Sequence, residues 1–237
     1  MHRLFISDLH LSEATPEIEA ALNNLLERET DLDGLVILGD FFEAWVGDDD
    51  DSSLAQRVRG LLSKCSSGGC ELMITRGNRD FMLGEQFARD TGATLLGDET
   101  VIDVAGTPTL LLHGDTLCTD DIDYQKFRSL VHDVAWRAEM MAKPLDERRE
   151  LARQLRAMSV DAASNKPEDI MDVNSDTVRE RLSAAGVERM IHGHTHRPNR
   201  HPIGRGERIV LGDWTASRGW YLRERDHDLA LESFDIG

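Results

Sequence analysis

Five short motifs, spread from Asp8 to His196, constrain this chain more than any other feature. They are Asp8-Leu9-His10, Gly39-Asp40, Gly77-Asn78-Arg79-Asp80, His113-Gly114-Asp115 and His192-Gly193-His194-Thr195-His196. Each stands directly behind a short apolar run, where the chain turns. A lone Asp-x-His or Gly-Asp is an ordinary turn. Five such motifs, each behind a strand, are the pattern of an open α/β fold whose ligand groups gather at the carboxyl ends of its strands. The glycines among them let the backbone turn sharply and approach a ligand closely.

The rest of the first half agrees. Leu4-Phe5-Ile6, Leu35-Val36-Ile37-Leu38 and Leu72-Met73-Ile74 read as buried strands. Between them lie a helix begun at Thr15-Pro16, with Leu22, Leu25 and Leu26 as its apolar stripe, and one from Ser53 closed at Ser66-Ser67-Gly68-Gly69. Strand, helix, strand in alternation implies parallel pairing. After Gly92 the pattern changes. Val101–Val104, Thr109–Leu112, Ile209–Leu211, Tyr221–Arg223 and Leu229–Phe234 are expected to form a second, more antiparallel sheet. Residues 121–185 read as almost wholly helical. Because metal-type motifs lie on both sides, this stretch is expected to be an insertion or cap on a core made of 1–120 and 186–237.

Carboxylate oxygen, amide oxygen and imidazole nitrogen together suit Mn, Fe, Co or Zn, and no convergent thiolate set points to a softer metal. Two such cations clamp a phosphoryl group and activate water, which removes the need for a Ser or Cys nucleophile. Asp40, with two carboxylate oxygens, could bridge them. Asp80 and Asp115 are expected to orient neighbouring His or Asn ligands. Asp48–Asp51 lacks the glycine and distal glutamate of a calcium loop and reads as a solvated loop. His2, His132, His201 and His227 lack partners at ligand spacing.

A net charge of −17 argues against a surface that grips nucleic acid. An anionic substrate must therefore be drawn in by local cations. Three cysteines, Cys65, Cys70 and Cys118, make no disulfide framework and fit a reducing compartment. No signal-peptide pattern is visible at the first residues, and no apolar run approaches a membrane span.

The motif order resembles the calcineurin-like metallophosphoesterase superfamily. Longer segments are similar to its branch of UDP-2,3-diacylglucosamine hydrolases (pyrophosphatases) of lipid A synthesis: Leu38-Gly39-Asp40-Phe41-Phe42-Glu43-Ala44-Trp45, Gly77-Asn78-Arg79-Asp80-Phe81, Leu112–Asp121 and Ile191–Pro198. The resemblance spans nearly the whole chain. It implies an α/β sandwich of two mixed sheets flanked by helices, with a helical cap. It implies a first cation on Asp8, His10 and His196, a second on Asn78, His113 and His194, and Asp40 bridging. Manganese is the cofactor it suggests, and Asp40, Asn78, Arg79 and His113 the catalytic group. Water attack at the α-phosphorus of UDP-2,3-diacylglucosamine would give UMP and 2,3-diacylglucosamine 1-phosphate. Substrate contacts would come from Asn78, Arg79, Asp121, Ser159, Lys166 and His194. Ala163 departs from the asparagine common in the family, and neighbouring Ser164 or Asn165 could substitute. A phosphodiesterase acting on another nucleotide, or a non-catalytic scaffold, are the competing readings.

Arg79 stands where many members of the superfamily carry His. Arg does not give up its proton at neutral pH. It can stabilise charge on a departing phosphate oxygen, which needs little protonation, so it suits a pyrophosphate substrate.

Within the expected cap, Leu151, Leu155 and Met158 share one helical face, with Arg149, Arg153 and Arg156 behind them. Such a basic amphipathic helix can rest on an anionic membrane surface. With the resemblance, this implies a cap that receives two acyl chains, and a cytoplasmic protein held peripherally on the inner membrane. No protein partner is expected.

Overall fold

The computed structural model describes residues 1–164, 170 and 172–237, with the side chains of 160–164 left aside. Two sheets stack face to face. The first has six strands in the order β11-β10-β1-β2-β3-β4: β1 (His2–Ile6), β2 (Gly34–Leu38), β3 (Glu71–Thr75), β4 (Thr94–Leu95), β10 (Arg218–Arg225) and β11 (Asp228–Asp235). The second has five in the order β5-β6-β7-β9-β8: β5 (Glu99–Val104), β6 (Thr107–Leu112), β7 (Arg189–His192), β8 (Asn199–Ile203) and β9 (Gly206–Val210). Both sheets are mixed. β1, β2, β3 and β4 run parallel, as do β6, β7 and β9, while β10, β11, β5 and β8 pair antiparallel to their neighbours.

The expected second sheet therefore needs correction. Tyr221–Arg223 and Leu229–Phe234 belong to the first sheet, where β10 pairs with β1. The buried Arg3–Glu224 ion pair across that ladder (2.6 Å) gives one reason, since neither charge could be left there without the other.

Strand alternation sorts the apolar residues into layers. Phe5, Val36, Leu38 and Met73 face Leu111, Ile191, Ile209 and Leu211 across the sandwich. Leu4, Ile6, Leu35, Ile37 and Ile74 face outward, onto α1 (Pro16–Arg28), α2 (Ser53–Ser67) and α3 (Glu85–Thr91). Thr15 does not cap α1 through its side chain; its hydroxyl pairs instead with that of Ser12 at 2.9 Å.

After β6, a short 3-10 turn (Asp115–Leu117) leads to α4 (Ile122–Val131), α5 (Val134–Met141), α6 (Leu145–Ser164) and α7 (Ser175–Ala185). The last of these, expected within the cap, packs differently from the rest. Val178 and Leu182 bury against Leu110, Leu112 and Met190, so α7 covers the outer face of the second sheet as the crossover between parallel β6 and β7. The helices standing off the sheets are α4–α6.

Those helices are fastened to the loop that follows β2. Arg148, 5% exposed, donates to the Val46 carbonyl at 2.5 Å and the Lys143 carbonyl at 3.1 Å, and forks onto Asp49. Arg149 pairs with Asp50 and Asp51, each at 2.6 Å, and Arg156 with Glu43. The run Asp48–Asp51 is thus a set of anchors rather than a freely solvated loop. Asp48 itself accepts from Trp45 Nε1 and from the amides of Gly84, Gln86 and Phe87 at the start of α3. Two of the three arginines expected to form a basic face, Arg149 and Arg156, are consumed by these carboxylates. Arg153 remains exposed, paired with Glu150.

Candidate metal centre

The C-terminal ends of β1, β2, β3, β6 and β7 open on one edge of the sandwich, and all five motifs lie there. Five residues of this edge hold left-handed backbone: Asp8 (φ 57°), His10 (φ 50°), Asp40 (φ 49°), His194 (φ 67°) and His196 (φ 55°). Such conformations are unfavourable for side chains with a Cβ and persist where surrounding structure compels them. Here they kink the chain just after a strand.

The donors converge. His196 Nε2 lies 3.3 Å from Asp8 Oδ1 and 3.4 Å from His10 Nε2. Asn78 Oδ1 lies 2.9 Å from both His113 Nε2 and His194 Nδ1. Asp40 sits between the two groups, Oδ1 facing His113 Nε2 at 3.6 Å and Oδ2 facing His10 Nδ1 at 4.0 Å. The donor atoms of Asp8, His10 and His196, and those of Asp8, Asp40 and His113, lie within 4.8 Å of one another. Asp8 Oδ1 and His10 Nδ1 are buried without a hydrogen-bond partner. Buried polar atoms are rarely left so. Two carboxylates, one amide oxygen and four imidazoles with orphaned atoms among them fit a pair of divalent cations.

Neighbouring groups aim these donors. His113 donates from Nδ1 to the Leu38 carbonyl at 2.8 Å, which leaves Nε2 for the cluster. Asp213 stands 3.5 Å behind His196 Nδ1. Asp8 Oδ2 accepts from the Ser7 hydroxyl and from the His194 amide at 2.9 Å. His192 faces away: its Nδ1 donates to Gly193 O, and its Nε2 accepts from Arg208 at 3.1 Å.

The electrostatics follow from burial and crowding. Burial and the Arg79 charge push His10 down to about 2, and burial and His113 push His194 down to about 4, so both imidazoles are neutral. Burial opposes ionisation of Asp8, but the His196 imidazole 3.3 Å away and the other nearby imidazoles outweigh it and hold the carboxyl well below its usual range. Burial raises Asp40 despite His113, with Asp8 and Asp80 adding to the rise. Burial disfavours charge on His113 too, yet Asp40, Asp8 and Asp115 together raise it.

Asp80 and Asp115 act on the ligands indirectly, through backbone and helix. Fully buried Asp80 accepts from the amides of Gly77 (2.7 Å) and Phe41 (2.8 Å), tying the loop after β3 to the loop after β2. Asp115 accepts from Tyr124 Oη (2.6 Å) and Arg128 (2.8 Å), seating α4 beside the centre, with the Tyr124 ring 5.8 Å from that of His194. Among the described residues, neither carboxylate hydrogen-bonds to a ligand side chain.

Arg79 lies at the rim, its Nε 3.4 Å from Asp40 Oδ2 and its amide donating to Asp40 Oδ1 at 2.9 Å. Asp121 caps α4 through the Tyr124 amide. Ser159 is exposed on α6, one turn beyond Arg156. Lys166 and Asn165 lie outside the described residues, as do the side chains of Ala163 and Ser164. Glu43, Asp213 and Ser7 had no role assigned from sequence, and Arg156 was read only as part of a basic face. Glu43 carried a signal in lying inside the Gly39–Trp45 segment.

A two-sheet sandwich with this Asp, His and Asn cluster on one edge defines a metallophosphoesterase. A family described as calcineurin-like phosphoesterase matches residues 1–198, and the chain belongs to it and, within it, to the UDP-2,3-diacylglucosamine hydrolases. The protein of that name from Cellvibrio japonicus is 50% identical over the full length of both chains. Those of Neisseria meningitidis serogroup B (46%; 89% of this chain, 88% of the relative) and Escherichia coli O7:K1 (44%; 90% and 91%) are similar too. Among solved structures, an archaeal phosphodiesterase shares the fold at a TM-score of 0.53 and 12% identity, covering 99% of each chain.

Proposed function

We propose that this chain is a metal-dependent hydrolase that cleaves the pyrophosphate bond of UDP-2,3-diacylglucosamine by water attack on the α-phosphorus. The products are UMP and 2,3-diacylglucosamine 1-phosphate, in lipid A biosynthesis. The observation that carries the chemistry is the convergence of seven donors with Arg79 at their rim. The substrate is the one in the names of relatives matched over 90% or more of this chain.

Asp8, His10 and His196 would hold one cation, Asn78, His113 and His194 the second, and Asp40 both. Manganese is the proposed ion. When bound, the pair supplies Lewis acidity to the phosphoryl group and lowers the pKa of the attacking water. The protein's own part is positioning. His113 is oriented by Leu38, and Asp80 locks the loop that carries Asn78 and Arg79. Arg79 stabilises the negative charge on the departing sugar phosphate without losing its proton. Asn78 and His194 would contact the substrate beside the metals, and Asp121, Ser159 and Lys166 would contact it from the cap.

The cap proper is α4–α6. It presents Ile122, Leu130, Val134, Met141 and Met158 as exposed apolar side chains. These, rather than the paired arginines, support acyl-chain binding and contact with the inner membrane from its cytoplasmic side. Among the described residues no helix is long and apolar enough to cross a membrane.

The test is UMP release from UDP-2,3-diacylglucosamine in detergent with manganese, beside a chelated control and Asp40→Asn. Release only with metal, lost in the variant, is the expected result. Cleavage of a simple phosphodiester without UMP release would keep the metal chemistry and remove the lipid substrate.

A further inference from the structure

Glu43 stands at the rim between the cap and the metal centre. It uses both oxygens on two arginines from distant parts of the chain. Oε2 accepts from Arg79 Nη1, in the loop after β3, and Oε1 accepts from Arg156 Nε, on the cap helix α6. Oε2 also lies 3.8 Å from His10 Nδ1. The Glu43 amide in turn donates to the Leu11 carbonyl at 3.1 Å, so its backbone is held by the chain leaving the Asp8–His10 turn. One side chain therefore joins the cap, the rim arginine and the edge of the metal centre.

As a source of stability this is little. Glu43 and Arg156 are 31% and 35% exposed in their side chains, and ion pairs so exposed contribute little. As a source of register it is substantial. Arg79 has four rotatable side-chain bonds and, from Asp40, a contact at only 3.4 Å. A second carboxylate opposite the first confines the planar guanidinium. Because the same carboxylate also holds Arg156, the place of Arg79 depends on the place of α6.

We infer that Glu43 is a positioning residue that holds Arg79 for the departing phosphate and couples it, through Arg156, to the seating of the cap. This rests on the proposed role of Arg79. Glu43 touches no reacting atom. It acts by limiting where the guanidinium can be when the diphosphate arrives.

Glutamine and aspartate separate this role from bulk. Glu43→Gln keeps the shape but leaves one acceptor oxygen, and its amide nitrogen faces one arginine donor to donor. Glu43→Asp keeps both acceptors on a shorter arm. The full-length protein, loaded with manganese, is assayed by UMP release, with bound metal and thermal midpoint measured for every variant. The expected result is a fall in kcat of roughly 10–100-fold for Glu43→Gln, the range seen when groups that orient active-site residues are removed. KM and metal content should change little, and Glu43→Asp should recover part of the loss. In an Arg79→Ala background Glu43→Gln should cost nothing further, and Arg156→Ala should cost activity only while Glu43 is intact.

Full activity of Glu43→Gln, or a loss that adds fully to that of Arg79→Ala, overturns the inference. Loss of a metal ion in Glu43→Gln also overturns it, by making the residue part of the metal centre. An Arg79→Ala variant with wild-type kcat is a different failure, since it removes the reading of Arg79 itself.

Discussion

His113 donates its Nδ1 hydrogen to the carbonyl oxygen of Leu38 at 2.8 Å, and by that bond the two sheets meet at the metal centre. Leu38 ends β2 of the first sheet and His113 follows β6 of the second. The bond fixes which ring nitrogen faces Asn78 and Asp40. It also makes the centre a suture between layers, so that cation binding and sandwich packing are coupled.

Replacing His113 tests that suture. His113→Ala is expected to lower bound metal from two ions to one per chain and to lower kcat by at least ~100-fold, because a ligand rather than an orienting group is removed. Stability of the metal-free protein should fall by only about 0.5–1.5 kcal/mol, since the Leu38 carbonyl keeps the Ser7 hydroxyl at 3.1 Å. Elemental analysis and denaturant melts read the two effects. Two retained metal ions would remove His113 from the ligand set.

The metal-free centre also holds a proton that binding must expel. Burial raises Asp40, and the surrounding carboxylates raise His113 against the effect of its own burial. At neutral pH the pair is therefore partly protonated, while cations bind the deprotonated forms. Manganese affinity is expected to climb as pH rises from about 6 to 8. Calorimetric titrations in buffers of different ionisation enthalpy measure the released protons. Equal heats in all buffers would show that none is released.

Gly193 leaves no room for a side chain. A Cβ built there would collide with Ser7 Oγ and Asp8 Oδ2. Gly193→Ala is expected to push Asp8 out of place and lower metal content and activity together, with the fold retained by circular dichroism. Gly186→Ala, where a Cβ meets nothing within 4 Å, is the comparison at a left-handed glycine of φ 67° outside the site. It should cost only modest stability and leave metal content intact.

Arg148 anchors the cap. Arg148→Ala removes charged hydrogen bonds to the Val46 and Lys143 carbonyls, a loss of about 1.5–3 kcal/mol for such bonds. The loss should fall on the seating of α4–α6 more than on the sheets. Limited proteolysis is expected to cut within 121–172 first, while the sandwich survives. Unchanged cleavage would mean that other contacts hold the cap.

The strand-end motifs were legible in the sequence because the chemistry needs particular residue types, and apolar runs of strand length precede them. β1, β2, β3, β6 and β9 could be placed from their apolar runs. β8 could not: Asn199–Ile203 is a polar edge strand whose backbone pairing carries no apolar pattern. The sheet to which β10 and β11 belong was likewise hidden, because alternation reports which faces are buried and not which neighbour a strand pairs with. For the same reason α7 read as part of the cap until its contacts with β6 and β7 were seen.

What the sequence determined by itself was the fold class, the seven candidate ligands and the family. Local pattern carries the fold class, and the motif segments carry the resemblance from which the family and the seven candidate ligands follow. Only the tertiary structure decided that Asp49, Asp50 and Asp51 pair with Arg148 and Arg149, that Asp80 and Asp115 hold backbone and helix, and that Glu43 joins Arg79 to Arg156. Most of those pairings join residues far apart in the chain, Glu43 and Arg156 by 113 positions. Which charges meet across such distances depends on how the sheets stack and where α6 crosses the rim, and opposite charges attract any partner in reach.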